Sequence, residues 1–184
     1  MRAALLALAW PGAKDPSELN ALTVRFHAIG ASHTKARSDV AERAIAAHPA
    51  SGGAWLLKAW AAPAGGSRRA ALDRALELAP DHPGVALFLA QDLLRRGEAQ
   101  AALTHIRLAL RRSPPTADLL ALHVRALGGV QRCDEAAALA TSASGLFAPE
   151  CQVLVAEKNQ VLGCAVFVQQ AYAALGSACP ASKG

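Results

Sequence analysis

The sequence predicts an all-α protein, a right-handed α-solenoid of antiparallel helix pairs that ends in a C-terminal capping helix pair. Prolines that can end helices recur at Pro49, Pro80, Pro114 and Pro149, spaced 31, 34 and 35 residues apart. Between them, Ala and Leu recur at helical intervals. Hydrophobic residues make up 53% of the 184 residues but aromatic residues only 4%, which favours closely packed helices. A single helix pair cannot bury its apolar face, so the pairs are expected to stack.

Residues 1–13 precede the repeats and are open to two interpretations. Arg2 is followed by an apolar stretch of eight residues that runs to Trp10 and then by a small-residue exit, a pattern typical of a short secretory signal. The same segment also suits an N-terminal capping helix.

Residues 14–149 divide into four units, about 14–48, 49–82, 83–116 and 117–149. The first begins with Asp15-Pro16-Ser17-Glu18, a good helix-capping sequence. Each unit is predicted to hold two helices. For the first, second and fourth units these are Ser17–Ile29 with Thr34–Ala47, Ala54–Ala62 with Arg68–Ala79, and Ala117–Leu127 with Asp134–Gly145.

The third unit, Pro83–Thr116, has the clearest pattern. Leu89, Ala90 and Leu93 occupy one helix, Gly97 opens a turn, and Ala102, Ile106 and Ala109 follow in a second helix that Pro114 ends. This order resembles the tetratricopeptide repeat, with Ala for Gly, Leu for Tyr and Ile for Phe. The resemblance covers about residues 14–150. It implies a scaffold that binds other proteins rather than an enzyme.

Residues 150–184 form the most hydrophobic segment, with valines and leucines clustered from Val153 to Val168. We expect a capping helix pair that bends near Gly163, followed by a tail. A single long helix is the competing interpretation.

The four cysteines, Cys133, Cys151, Cys164 and Cys179, lie in the C-terminal third without a metal-binding spacing. If the capping helices run antiparallel, Cys133 lies opposite Cys164 and Cys151 lies beside Cys179. Two disulfides, 133–164 and 151–179, would then form in an oxidising compartment. Four buried free thiols are the alternative.

No catalytic pattern is found in the sequence. The six histidines are dispersed, and His48 and His82 lie next to prolines, where a histidine suits a helix C-terminus. Ser32 and Lys35 match S-x-x-K, but no further motif of that enzyme class follows, so helix capping by Ser32 or Thr34 is the better explanation. We therefore predict no enzyme, no cofactor and no metal site.

The net charge is +5, with arginine pairs scattered along the chain and no aromatic residues between them. A stacking surface for nucleic acid is therefore not expected. No apolar run reaches the roughly 18 residues that a transmembrane helix needs.

The tetratricopeptide resemblance also implies a concave groove lined by the first helix of each unit. A peptide or protein partner with an apolar segment and an acidic group would suit the aromatic and arginine side chains of this groove. The groove residues carried over by position are Phe26, Leu57, Trp60, Phe88, Gln91, Arg95, Leu122 and Arg125.

The predicted role is thus a protein interaction module, and an accessory of bacterial envelope assembly or secretion is one such role. The signal-like start and the cysteines favour a periplasmic or otherwise exported protein. A cytoplasmic adaptor or chaperone with free thiols is the first alternative, and a small enzyme or cofactor carrier on a helical scaffold is the second.

Overall fold

The computed structural model describes residues 10–30, 32–155 and 160–180, which are mainly helical with one small sheet. Residues 1–9 of the predicted signal or capping segment lie outside the described residues. In chain order, the helices of the described residues are α1 (Pro16–Ala28), α2 (Thr34–Ala47), α3 (Gly52–Ala61), α4 (Gly66–Leu78), α5 (Pro83–Arg95), α6 (Ala99–Arg112), α7 (Ala117–Gly129), α8 (Cys133–Ser142) and α9 (Cys164–Ala173). A hairpin of β1 (Gln152–Val155) and β2 (Gln160–Gly163) precedes α9.

Short polar side chains cap the first turn of two of the described helices. At the start of α1, Oδ1 of Asp15 accepts hydrogen bonds from the backbone N–H groups of Ser17 at 2.8 Å and Glu18 at 3.3 Å, which confirms the predicted cap. Together with the Ser17 hydroxyl, which contributes most, these bonds lower the pKa of the Asp15 carboxyl. Thr116 caps α7 by accepting the N–H of Leu119 at 3.3 Å.

The predicted cap of α2 is wrong. His33 occupies the N-cap position and makes no side-chain capping hydrogen bond, while Thr34 is already the first helical residue. The hydroxyl of Ser32 lies 3.4 Å from Nδ1 of His33 instead of bonding to the helix backbone. The first backbone N–H groups of α2 therefore have no capping side chain.

The described chain divides between Ala86 and Leu87 into two compact units. In the N-terminal unit, α1 packs on α2 and α3 packs on α4, and α3 also contacts both helices of the first pair. Ala71 and Ala75 of α4 are buried, as expected for small residues where helices approach closely.

The C-terminal unit is organised around α7, which contacts α6, α8 and α9. The predicted small and large positions of α6, Ala102, Ile106 and Ala109, are all buried. Leu119, Leu120 and Leu122 of α7 are buried as well.

The C-terminal capping helix pair is wrong in its first half, where the chain forms the β-hairpin. β1 and β2 are antiparallel, with Val153 opposite Leu162 and Leu154 opposite Val161. Side chains alternate between the two faces of a strand, so Val153 is buried while Leu154 and Val161 are 63% and 59% exposed. The β-branched valines suit this extended backbone better than a helix. Only α9 remains of the predicted pair.

All four cysteines form disulfides, but the predicted pairing is wrong. Cys133 is bonded to Cys179 and Cys151 to Cys164, with Cα–Cα distances of 5.3 and 5.6 Å. The prediction assumed two antiparallel helices after Pro149. The hairpin instead brings Cys151, just before β1, next to Cys164, just after β2. Two disulfides indicate an oxidising, exported environment.

Among the described residues, every helix is too short or too polar to cross a membrane.

Candidate functional site

The N-terminal unit contains a pocket where the start of α2, the end of α3 and the start of α4 meet. The pocket has a cavity volume of about 380 Å³. Its lining includes two arginines and no carboxylate. The lining residues are Thr34, Arg37, Trp60, Ala61, Ala62, Pro63 and Arg68.

An aromatic cluster supports one side of this pocket. The indole of Trp60 lies 4.9 Å from the imidazole of His27 at 66°, and 6.2 Å from the ring of Phe26 at 28°, measured between ring centroids. Phe26 is fully buried while Trp60 is partly exposed. Aromatic pairs at these distances stabilise each other, so the cluster fixes the indole in place.

Arg37 is held on the same cluster. Its guanidinium carbon lies 4.3 Å from the centroid of the Phe26 ring, within the range of a cation–π interaction. The Arg37 side chain is partly buried, so its guanidinium is held at the pocket rather than extended into solvent.

Arg68 is held from the opposite side, at the end of α3. Its Nε and Nη2 donate hydrogen bonds of 3.0 and 2.6 Å to the carbonyl oxygen of Ala62. Ala62 is the C-cap residue of α3, so the guanidinium interacts with the negative end of that helix. Both arginines therefore line the pocket from fixed positions.

The start of α2 adds to the positive potential. Thr34, the first residue of this 14-residue helix, lines the pocket, and the N-cap residue His33 contributes no capping side chain. A helix N-terminus carries a partial positive charge and free N–H donors. The helix end, Arg37 and Arg68 together favour an anionic group, and Trp60 favours an apolar group beside it.

The predicted groove residues are divided between the two compact units. Trp60 lines this pocket and Phe26 packs behind it, whereas Leu57 of the same unit is buried in its core. Of the predicted groove residues in the N-terminal unit, Trp60 is therefore the one that lines the pocket.

The other five predicted groove residues belong to the C-terminal unit. Phe88 and Leu122 are buried, Gln91 is partly buried, and Arg95 and Arg125 are exposed. Four of the eight predicted groove residues, counting Phe26 and Leu57, are thus core side chains that a partner cannot reach in this conformation. Nη2 of Arg95 lies 2.9 Å from the carboxylate of Asp92 on the same helix, so this charge already has a partner.

Sequence reasoning missed Thr34, Arg37 and Arg68 as site residues. Arg68 belongs to one of the arginine pairs that are scattered along the chain. The available signal for Arg68 was its position two residues after Gly66, where a helix start follows a helix end.

The two histidines beside prolines are buried. Nδ1 of His48 accepts the backbone N–H of Lys14 at 3.2 Å, and its Nε2 lies 3.4 Å from the Glu18 carboxylate. His82 accepts the N–H of Gly84 at 3.1 Å. The contacts of His48 connect the end of α2 to the start of α1.

Within the described residues, no group of three or more His, Cys, Asp and Glu side chains is placed to hold a metal ion.

Comparison with known protein families, with curated proteins and with solved structures finds no match to this chain.

Proposed function

We propose that this protein is a binding module of tetratricopeptide-like helix pairs. In this proposal its N-terminal unit binds a segment of another protein that carries an acidic group beside an apolar side chain. The helix pairs that begin at Pro16, Gly52, Pro83 and Ala117 start 36, 31 and 34 residues apart. This spacing supports the tetratricopeptide resemblance and a solenoid arrangement of the pairs, because that repeat has a period of 34 residues.

The observation that carries the proposal is the fixed pair of guanidinium groups around Trp60. Arg37 is held on Phe26 and Arg68 is held on Ala62, and Trp60 lies in the same pocket lining. Arginine contacts a carboxylate with two parallel hydrogen bonds, and side chains that are already ordered lose little entropy on binding. An acidic peptide with an adjacent Leu or Phe satisfies both surfaces.

The two disulfides support an exported site of action, and we propose a periplasmic or other envelope location. An accessory role in envelope assembly or secretion would use this module to hold a client polypeptide. A cytoplasmic adaptor would instead contain four free thiols, so a thiol count under denaturing, non-reducing conditions separates the two.

The test is peptide binding measured by fluorescence anisotropy. Fluorescein-labelled decamers with a central Phe-Glu or Leu-Asp pair are compared with the same decamers carrying Gln or Asn. Charge-assisted hydrogen bonds contribute about 1.5–3 kcal/mol each, so Arg37→Ala or Arg68→Ala should weaken binding of the acidic peptides about tenfold or more.

Arg43→Ala is the matched control, since Arg43 is an exposed arginine of α2 outside the pocket lining. Circular dichroism checks that each variant keeps its helicity. Equal binding of acidic and amide peptides, or equal losses in the pocket variants and the control, would rule out this site.

A further inference from the structure

A second pocket lies in the C-terminal unit, where α6, α7 and α8 meet. Its cavity volume of about 460 Å³ is in the range of small-molecule sites. Arg107, His123, Glu135 and Ser142 contribute polar atoms to its lining, and Leu127 and Leu139 contribute apolar surface. The proposed binding of a polypeptide in the N-terminal unit does not involve this pocket.

Most of the polar groups here already have partners. Glu135 accepts hydrogen bonds on both carboxylate oxygens from Nε and Nη2 of Arg132. The hydroxyl of Ser142 donates to the carbonyl oxygen of Leu139 at 3.1 Å. The negative charge of Glu135 is thus compensated by Arg132 rather than by Arg107.

His123 and Arg107 differ from these groups. Nδ1 of His123 is buried and has no hydrogen-bond partner among the described residues. Arg107 is exposed and forms no ion pair within the described part of the chain. A buried polar atom without a hydrogen-bond partner destabilises a fold. A ligand that accepts hydrogen bonds from both side chains would remove that cost.

We propose that this pocket binds a small carboxylate with an apolar body. Its carboxylate lies between the guanidinium of Arg107 and the imidazole of His123, and its hydrocarbon part lies on Leu127 and Leu139. Two sources share this chemistry, a free monocarboxylic acid and the terminal carboxylate of a short peptide with an apolar last residue.

The pKa of His123 provides a measurable sign of carboxylate binding at this site. Burial lowers the pKa of His123, the positive charges of Arg107 and Arg132 lower it further, and Glu135 opposes them. A carboxylate bound beside the imidazole favours its protonated form and therefore raises this pKa. At a pH near the pKa of His123, carboxylate binding is therefore coupled to the uptake of a proton by the imidazole. The affinity for the carboxylate rises as the pH falls through this pKa.

The experiment uses the full chain and three probes: hexanoate, its neutral counterpart hexanamide, and acetyl-Gly-Leu. Affinities are measured by isothermal titration calorimetry, and the His123 ring proton is followed by NMR from pH 5 to 8. We expect one of the two carboxylates to bind at least tenfold more tightly than hexanamide and to raise the NMR pKa of His123. The tighter of the two identifies the source.

Arg107→Gln and His123→Leu should each weaken carboxylate binding about tenfold. His123→Asn should restore part of it, because the Asn amide nitrogen can replace Nδ1 as a donor. Arg111→Gln, an exposed arginine of α6 outside the lining, is the control. The proposal fails if hexanamide binds as well as the carboxylates, if the His123 resonance does not respond, or if Arg107→Gln behaves like the control. These outcomes are independent of peptide binding at Arg37 and Arg68.

Discussion

The indole of Trp10 stacks on the imidazole of His82, with ring centroids 3.6 Å apart and planes 18° from parallel. Both side chains are buried, so the segment that precedes α1 is fixed to the turn that follows α4 within the N-terminal unit. Gly53 of α3 makes this packing possible, because a Cβ atom there would lie 2.5 Å from the indole.

The first prediction concerns this close approach. Gly53→Ala should destabilise the fold by about 1–3 kcal/mol, since the indole has to move away from the added methyl group. Urea denaturation followed by circular dichroism measures the change. Gly66→Ala is the control, because a Cβ atom there meets nothing within 4 Å and should leave stability unchanged or slightly improved. Equal effects at the two glycines would contradict the packing of Trp10.

A second prediction tests close helix packing in α6. Ala109 is buried, whereas Ala101 of the same helix is exposed. Ala109→Leu should cost about 1–3 kcal/mol through overpacking, while Ala101→Leu should change stability by less than about 0.5 kcal/mol. Thermal unfolding of the two variants provides the comparison. A tolerated leucine at 109 would mean that the helices around α6 are not closely packed.

The disulfides provide a third prediction. Cys133 and Cys179 are 46 residues apart in sequence, and Cys151 and Cys164 are 13 apart. On the loop-entropy model, replacing the first pair by alanine should cost about 4 kcal/mol and replacing the second about 3 kcal/mol. Denaturant titrations of the two double variants measure the difference.

Proteolytic mapping without reduction tests the pairing itself. It should recover a fragment that joins Cys133 to Cys179. A fragment that joins Cys133 to Cys164 would instead support the pairing predicted from the sequence.

A fourth prediction follows from His123. Its folded-state pKa is lowered by burial and by nearby arginines, so the unfolded state takes up its proton first as the pH falls. The contribution of neutral His123 is therefore complete above its unfolded pKa of about 6.5 and is lost as the pH falls through its folded pKa. Unfolding free energies of wild type and His123→Leu between pH 8 and 5 should show a weaker pH dependence in the variant. Parallel curves would refute the lowered pKa.

Local signals in the sequence predicted the helices well. Pro83, Gly97 and Pro114 act on their own neighbourhood, and α5 and α6 lie where these residues place them. The positive φ of 79° at Gly97 is a backbone conformation that glycine adopts without strain.

Features that depend on distant residues were not predicted. The pocket beside Trp60 is lined by both Thr34 and Arg68. These residues are far apart in the sequence, and no spacing rule predicts that they line the same pocket. The hairpin was not predicted because its apolar residues were assigned to a helix. In the structure Val153 is buried and the next residue, Leu154, is exposed, which is the alternation of a strand. That mistake then gave the wrong cysteine partners.

The connectivity of the cysteines also affects how a cell must make this protein. The Cys133–Cys179 bond encloses the Cys151–Cys164 bond along the chain. As the polypeptide emerges in chain order, Cys133 and Cys151 appear before Cys164 and Cys179, and they are not partners. An oxidant that joins thiols in order of appearance would form a non-native disulfide between Cys133 and Cys151. Attack of a thiolate on this disulfide would then be needed to reach the native pairing. Efficient production therefore calls for a disulfide isomerase, or for oxidation delayed until Cys179 has emerged.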